Sequence, residues 1–332
     1  ICSYWRDEYD WRRCEAWLNN IPQFTTEIDG LDFHFLHIRS PHKNALPVVM
    51  THGWPGSIIE FSKVIGPLTD PGAHGGDNAD AFHLVCPTLP GFGYSGKPTS
   101  PGWGVERIGG AWGQLMARLG YDRYVAQGGD WGAVVTCSMG VTETAHCAGI
   151  HTNMPIVSPS EEVTQNLTEF EKAAMASVQY YWDWDSGYSK EQSTRPQTVG
   201  YGLVDSPVAQ AAWIIEKFWS WTDSDGHPEN VLTRDELLDN VMMYWLPGAG
   251  ASSARIYWES FGVVGKPQDE IHIPVGVSMF PHEIFRCSQR WIEERCKNVV
   301  HYNVLDKGGH FAAFEQPETF VEEVSSCFRH MR

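Results

Sequence analysis

Asp130 sits at the centre of Gly128-Gly129-Asp130-Trp131-Gly132, between a strand-like run and a helical pattern. Glycines around one reactive side chain have a steric reason. A strand that turns sharply into a helix leaves almost no room for neighbouring side chains, and the turn lifts its central residue above the sheet. With Asp at the centre this run has the shape of a nucleophile elbow; the alternative is a Gly-rich turn whose Asp caps a helix. Two other runs bear on the choice. Thr51-His52-Gly53-Trp54-Pro55-Gly56 follows a short apolar segment, so the backbone N–H of Trp54 could pair with that of Trp131 as an oxyanion hole. Lys307-Gly308-Gly309-His310-Phe311 follows the last strand-like run, which places His310 last in the order nucleophile, acid, base. The acid is then expected just past the preceding strand, in Met279-Phe280-Pro281-His282-Glu283, where Glu283 is the only carboxylate.

A fourth run, Gly91-Phe92-Gly93-Tyr94-Ser95-Gly96, satisfies a dinucleotide-binding fingerprint in letters alone. Pro90 precedes it, Pro98 follows, no helical pattern opens on it, and no carboxylate lies near Trp112, where the ribose partner belongs. It is set aside as a dinucleotide site.

The elements that would carry these runs alternate between strand and helix. Strand-like segments occur at Leu31–Ile38, Leu46–Thr51, Phe82–Cys86, Arg123–Gln127, around Ile150, Ile273–Ser278 and Val299–Val304, with helical patterns at Val105–Leu119, Gly132–Thr144 and Pro317–Arg329. That rhythm predicts a mostly parallel sheet with helices on both faces. A single helix is expected over Tyr4–Asn20. From about residue 155 the pattern is helical alone: Ser206-Pro207 starts one helix and Thr233-x-x-Glu236 another, closed by Pro247-Gly248. Seven of the fifteen tryptophans, Trp182 to Trp258, fall in this block. The expected organisation is an N-terminal extension (1–30), an α/β core (31–154 and 268–332) and an aromatic helical lid (155–267).

The whole chain sets outer limits. At 332 residues with 42% hydrophobic content it can bury a large core. The balance 24 − 41 = −17 repels phosphate backbones and anionic membranes, so nucleic-acid and lipid-surface partners are not expected. None of the eight cysteines forms a C-x-x-C pair, so no metal site is expected and the thiols are read as reduced, in a soluble cytoplasmic protein. The sequon Asn166-Leu167-Thr168 keeps a secreted reading open.

Together, His52-Gly53-Trp54-Pro55, Gly128-Gly129-Asp130-Trp131-Gly132 and Gly308-Gly309-His310-Phe311 resemble the epoxide hydrolases of the microsomal and juvenile-hormone type. The resemblance covers almost the whole chain, including Tyr4-Trp5-Arg6 through Trp17-Leu18-Asn19. It implies an α/β-hydrolase fold, Asp130 as nucleophile, Glu283 as acid, His310 as base, and Tyr188 and Tyr257 as the pair that protonates the epoxide oxygen. The hydrophobic membrane anchor of the microsomal members is not in this sequence, so attachment to a membrane is not carried over. Such an enzyme needs an epoxide and water, and no cofactor or metal. A carboxylate suits attack on an sp³ carbon because it leaves an ester that water can cleave, whereas a serine would leave an ether. Phenols, with reference pKa ~10, keep a proton to donate at neutral pH. The aromatic lid points to apolar aryl or alkyl epoxides. Two rival readings stand beside this one: a haloalkane dehalogenase, and a non-catalytic receptor of the same fold for a small apolar ligand.

Overall fold

The structure, a computed structural model, describes residues 1–264 and 269–332. Its centre is one sheet of eight strands: β1 Gln23–Ile28, β2 Leu31–Ile38, β3 Leu46–Thr51, β4 Phe82–Pro87, β5 Tyr124–Gly128, β6 Cys147–Thr152, β7 Val275–Met279 and β8 Val299–Val304. The spatial order is β1-β2-β4-β3-β5-β6-β7-β8. β1 and β2 run antiparallel to their neighbours, and β3 through β8 are parallel. Val48, Val49, Val125, Ala126 and Val277 have essentially no exposed surface, as expected of strands covered on both faces.

The front of the chain differs from the sequence expectation twice. Tyr4–Asn20 is not one helix but two, Cys2–Asp7 and Trp11–Asn19, because the Asp10 carboxylate accepts the Arg12 N–H and starts a second helix. Residues 23–28 also form an unforeseen strand. Its hairpin with β2 turns at Asp29-Gly30, both with positive φ (52° and 78°), so the segment assigned to an extension supplies the sheet's outer strand. Phe24 on that strand is half exposed, and its inside/outside alternation is too weak to announce a strand.

Between β6 and β7 the described chain is helical. The predicted caps are present: Ser206 accepts the Ala209 N–H ahead of helix Pro207–Trp221, and Thr233 and Glu236 form a reciprocal capping box on helix Arg234–Trp245. That last helix lies against the loop after β3. Asn240 bridges Ser57 Oγ (2.7 Å) and Pro55 O (2.7 Å), and Tyr244 Oη donates to Gly56 O (2.6 Å). The N-terminal helices hold its other side: Tyr4 Oη donates to Asp235 (2.8 Å), Tyr9 Oη to Asp239 (2.7 Å), and Arg13 Nη2 reaches both Asp239 oxygens at 2.8 and 2.7 Å. The boundary expected at 267/268 lies outside the described residues. No helix among the described residues is long and apolar enough to cross a membrane.

Candidate active site

The site assembles at the carboxyl ends of β3, β5, β6, β7 and β8, the edge where open α/β sheets bind ligands. β5 ends at Gly128, and helix Asp130–Thr142 begins at once. Asp130 takes φ = +50°, the left-handed region that non-glycine residues seldom enter. Such strain persists only where the surroundings enforce it, and here they do. A Cβ on Gly128 would overlap the Gly132 carbonyl, and one on Gly132 would overlap the Thr51 carbonyl. A Cβ on Gly53 would strike the Asp130 carboxylate itself.

Asp130 is met by groups from two loops. The Trp54 N–H donates to Oδ1 at 2.8 Å. The Trp131 N–H lies in the first turn of the following helix, where N–H groups have no intrahelical acceptor. On Oδ2, His310 Nε2 stands at 3.4 Å, while His310 Nδ1 is 2.6 Å from Glu283 Oε1. Glu283 is fully buried; its Oε1 also accepts the Ile284 N–H (2.7 Å), and Asn153 Nδ2 reaches Oε2 at 3.4 Å. Burial by itself would lower the His310 pKa, but Glu283, followed by Asp130, outweighs it and holds the imidazole well above its ordinary value.

The His310 loop is clamped from the helical insertion. The His310 N–H donates to Trp221 O (2.9 Å), and the Gly308 N–H donates to Asp223 Oδ2 (2.8 Å). Glu315 accepts the N–H groups of Asp223 (2.8 Å) and Phe311 (3.0 Å), tying both segments to one carboxylate. Burial pushes the Glu315 pKa up to about 7.

Facing Asp130 is an aromatic wall. Tyr188 stacks on Trp54 (centroids 4.7 Å, 9°), and Tyr257 stands edge-on to Trp131 (4.8 Å, 86°). The two tyrosine rings are 5.7 Å apart and nearly perpendicular. Burial, reinforced by the neighbouring tyrosines and Asp130, raises both phenol pKa values well above 10. The structure thus brings Asp130, His310, Glu283, Tyr188, Tyr257, Trp54 and Trp131 into one site.

It adds others that the sequence pattern does not announce. Tyr181, which falls in a core-like stripe by spacing, opens a π-helical turn over Tyr181–Asp185, and its Oη lies 3.2 Å from that of Tyr188. Asn153, Glu60 and Gln127 also line the space around Asp130. Spacing could not flag them, because none of the three lies within the glycine-flanked runs that carry the signals. His52, by contrast, is a buried support. Its Nδ1 contacts Gly53 O at 2.9 Å, and burial lowers its pKa to about 4, so it stays neutral.

Comparison with known proteins follows the same lines. Residues 1–61 match the family model described as epoxide hydrolase N terminus, and residues 47–196 match that of the alpha/beta hydrolase fold. A Stigmatella aurantiaca protein, named provisionally as an epoxide hydrolase, is 54% identical over 332 residues, spanning 100% of this chain and 75% of that one. Epoxide hydrolase 1 of Sus scrofa is 36% identical, over 98% of this chain and 78% of its own. The crystal structure of juvenile hormone epoxide hydrolase from the silkworm Bombyx mori superposes with a TM-score of 0.89 at 30% identity, covering 99% of this chain and 83% of that one.

Proposed function

The chain belongs to the epoxide hydrolases of the microsomal and juvenile-hormone type, and we propose that it opens epoxides through a covalent ester on Asp130. With Oδ1 held by the Trp54 N–H, Oδ2, which no backbone donor holds and which faces His310 Nε2 at 3.4 Å, is the oxygen that attacks one epoxide carbon. As the C–O bond breaks, the departing oxygen takes a proton from the Tyr188–Tyr257 pair. Their raised pKa values keep both phenols protonated as donors. The product of this half-reaction is a hydroxyalkyl ester.

Esterification removes the Asp130 charge, and with it one of the interactions that hold a proton on His310. The imidazole, still oriented by Glu283, becomes the better base at the step that needs one. It takes a proton from water as the water oxygen adds to the Asp130 carbonyl carbon. The resulting oxyanion sits on the Trp54 and Trp131 N–H groups. Collapse breaks the acyl–oxygen bond, returns the proton to the departing alkoxide and releases the vicinal diol; the acid proton left on Asp130 passes through solvent to the tyrosinate, which restores both groups.

The observation that carries this reading is the single carboxylate held between a backbone donor on Oδ1 and a Glu283-oriented imidazole on Oδ2. We place the helical insertion as a lid, and the substrates as apolar epoxides. Space beside Asp130 is walled by Trp131, Val134, Ile156 and Phe285, and a larger cavity of about 360 Å³, bordered by Ile156, Phe285, Ala174 and Trp291, adjoins it. The test is His310→Gln mixed with an aryl epoxide. Its intact mass should rise by the mass of one epoxide, and peptide mapping should put the adduct on Asp130. An unmodified chain under conditions where the wild type turns over contradicts the proposal.

A further inference from the structure

Two separate chambers meet at Asp130. One is lined by Asp130, Trp131, Tyr181, Tyr188, Tyr257 and Phe285. The other is lined by Asp130, His310, Glu60, Gln127, Asn153 and the backbone turn at Gly53-Trp54. Asp130 is the one residue on both walls, so the tyrosines face one chamber and the histidine the other.

The second chamber suits a water molecule. It offers about 20 Å³ to a water centre, and one water needs roughly 10–15 Å³ together with two to four polar partners. Gln127 lines it and is 1% exposed, and its buried Oε1 has no hydrogen-bond partner among the described residues. Gln127 Nε2 contacts Asn153 Oδ1 at 3.3 Å, and Asn153 in turn reaches Glu283. Glu60 is the second polar side chain without a task. It lies in the short 3₁₀ helix Ile58–Phe61 that Ser57 caps, and no hydrogen bond to its carboxyl exists among the described residues. Gly56 leaves the space its carboxyl occupies, because a Cβ there would overlap Glu60 Oε2. Leaving a buried polar oxygen unpaired costs roughly 1–3 kcal/mol, which a bound water removes.

We propose that this rear chamber holds the water that hydrolyses the Asp130 ester, and that Glu60 and Gln127 are positioning residues for that water. Gln127 Oε1 accepts a hydrogen bond from one water O–H, and Glu60 fixes the oxygen. The second water proton faces His310 Nε2, which takes it as the oxygen bonds to the Asp130 carbonyl carbon; the same proton then goes to the departing alkoxide. Burial pushes the Glu60 pKa up to about 8, with the Asp130 charge adding to the rise and His310 opposing it. In the resting enzyme Glu60 therefore carries a proton near neutrality and adds no second negative charge beside the nucleophile. The tyrosine chamber, lacking His310 and Glu60, serves alkylation alone.

The inference rests on the covalent-ester reading, and its test separates the two. Pre-steady-state tryptophan fluorescence with an aryl epoxide yields the alkylation and ester-hydrolysis rate constants independently. In Glu60→Leu and Gln127→Leu, alkylation should keep its wild-type rate while hydrolysis slows roughly tenfold to a hundredfold, the scale of a misplaced reactant. Glu60→Gln, which keeps a polar group of the same shape, should fall between wild type and Glu60→Leu and guards against a variant that does not fold. Equal slowing of both steps makes these residues mere packing and overturns the inference, as does hydrolysis at the wild-type rate in all three variants. If the wild type forms no ester at all, the covalent reading falls and the inference with it.

Discussion

At the scale of single residues, different side chains serve different half-reactions in the proposed mechanism. Removing both phenols in Tyr188→Phe/Tyr257→Phe should cut alkylation by about 10²–10⁴-fold, the usual worth of acid catalysis. Breakdown of an ester already formed should stay near normal. Rapid-quench measurement of the two steps checks this; normal alkylation in the double variant would make the tyrosines packing residues. The pH dependence follows from His310. Glu283 raises its pKa, so Glu283→Gln should lower it, and the rise of the hydrolysis rate with pH should move to lower pH while its plateau falls as the imidazole loses its orientation. A profile that stays in place, or moves to higher pH, contradicts the assignment. Asp130 and His310 were legible because each lies in a short glycine-flanked turn, where sterics write a local signature. Tyr181, Glu60 and Gln127 were not, because what matters about them is a neighbour brought close by the fold: Tyr188 for the first, the space over Gly56 for the second, and the enclosed wall of β5 for the third.

At the scale of elements, the elbow and an ordinary helix make opposite demands on glycine. Gly132→Ala would drive a methyl group into the Thr51 carbonyl, which is backbone and cannot yield, so a loss of at least about 1–3 kcal/mol is expected. Gly110, inside helix Val105–Arg118, has nothing within 4 Å of the point where an alanine methyl would sit, so Gly110→Ala should gain about 0.5–1 kcal/mol. Urea unfolding of the two variants reads both; equal effects would mean that the turn is not sterically determined. Arg13→Ala should cost about 1–2 kcal/mol, since Arg13 is half exposed but Asp239 is buried, and protease nicking should increase in helix Arg234–Trp245. The alternation of strands and helices was plain in the hydrophobic runs, as were the caps at Ser206 and Thr233. β1 was hidden because an outer strand with a half-exposed face has little hydrophobic contrast. The break in the N-terminal helix turns on one side-chain cap, Asp10, inside an otherwise continuous helical composition.

At the scale of the whole molecule, the part-buried Asp130 carboxylate lies on the walls of two chambers, and the larger space beyond the tyrosine wall is apolar. Lengthening an alkyl epoxide by a methylene that stays within that space should improve kcat/KM by up to about fourfold, the equivalent of ~0.8 kcal/mol for each CH₂ buried. Faster turnover of small polar epoxides than of any apolar one would contradict the pocket assignment. The net charge of −17 does not bear on this preference, since the proposed substrates are neutral. The claim on which the rest depends is that the first oxygen delivered to carbon comes from Asp130 and not from water. A single turnover in heavy-oxygen water, with enzyme in excess over an aryl epoxide, decides it by mass spectrometry of both the diol and the peptide containing Asp130. The expected result is an unlabelled diol and one solvent oxygen in the Asp130 carboxylate; label in the first-turnover diol, with Asp130 unlabelled, would contradict it.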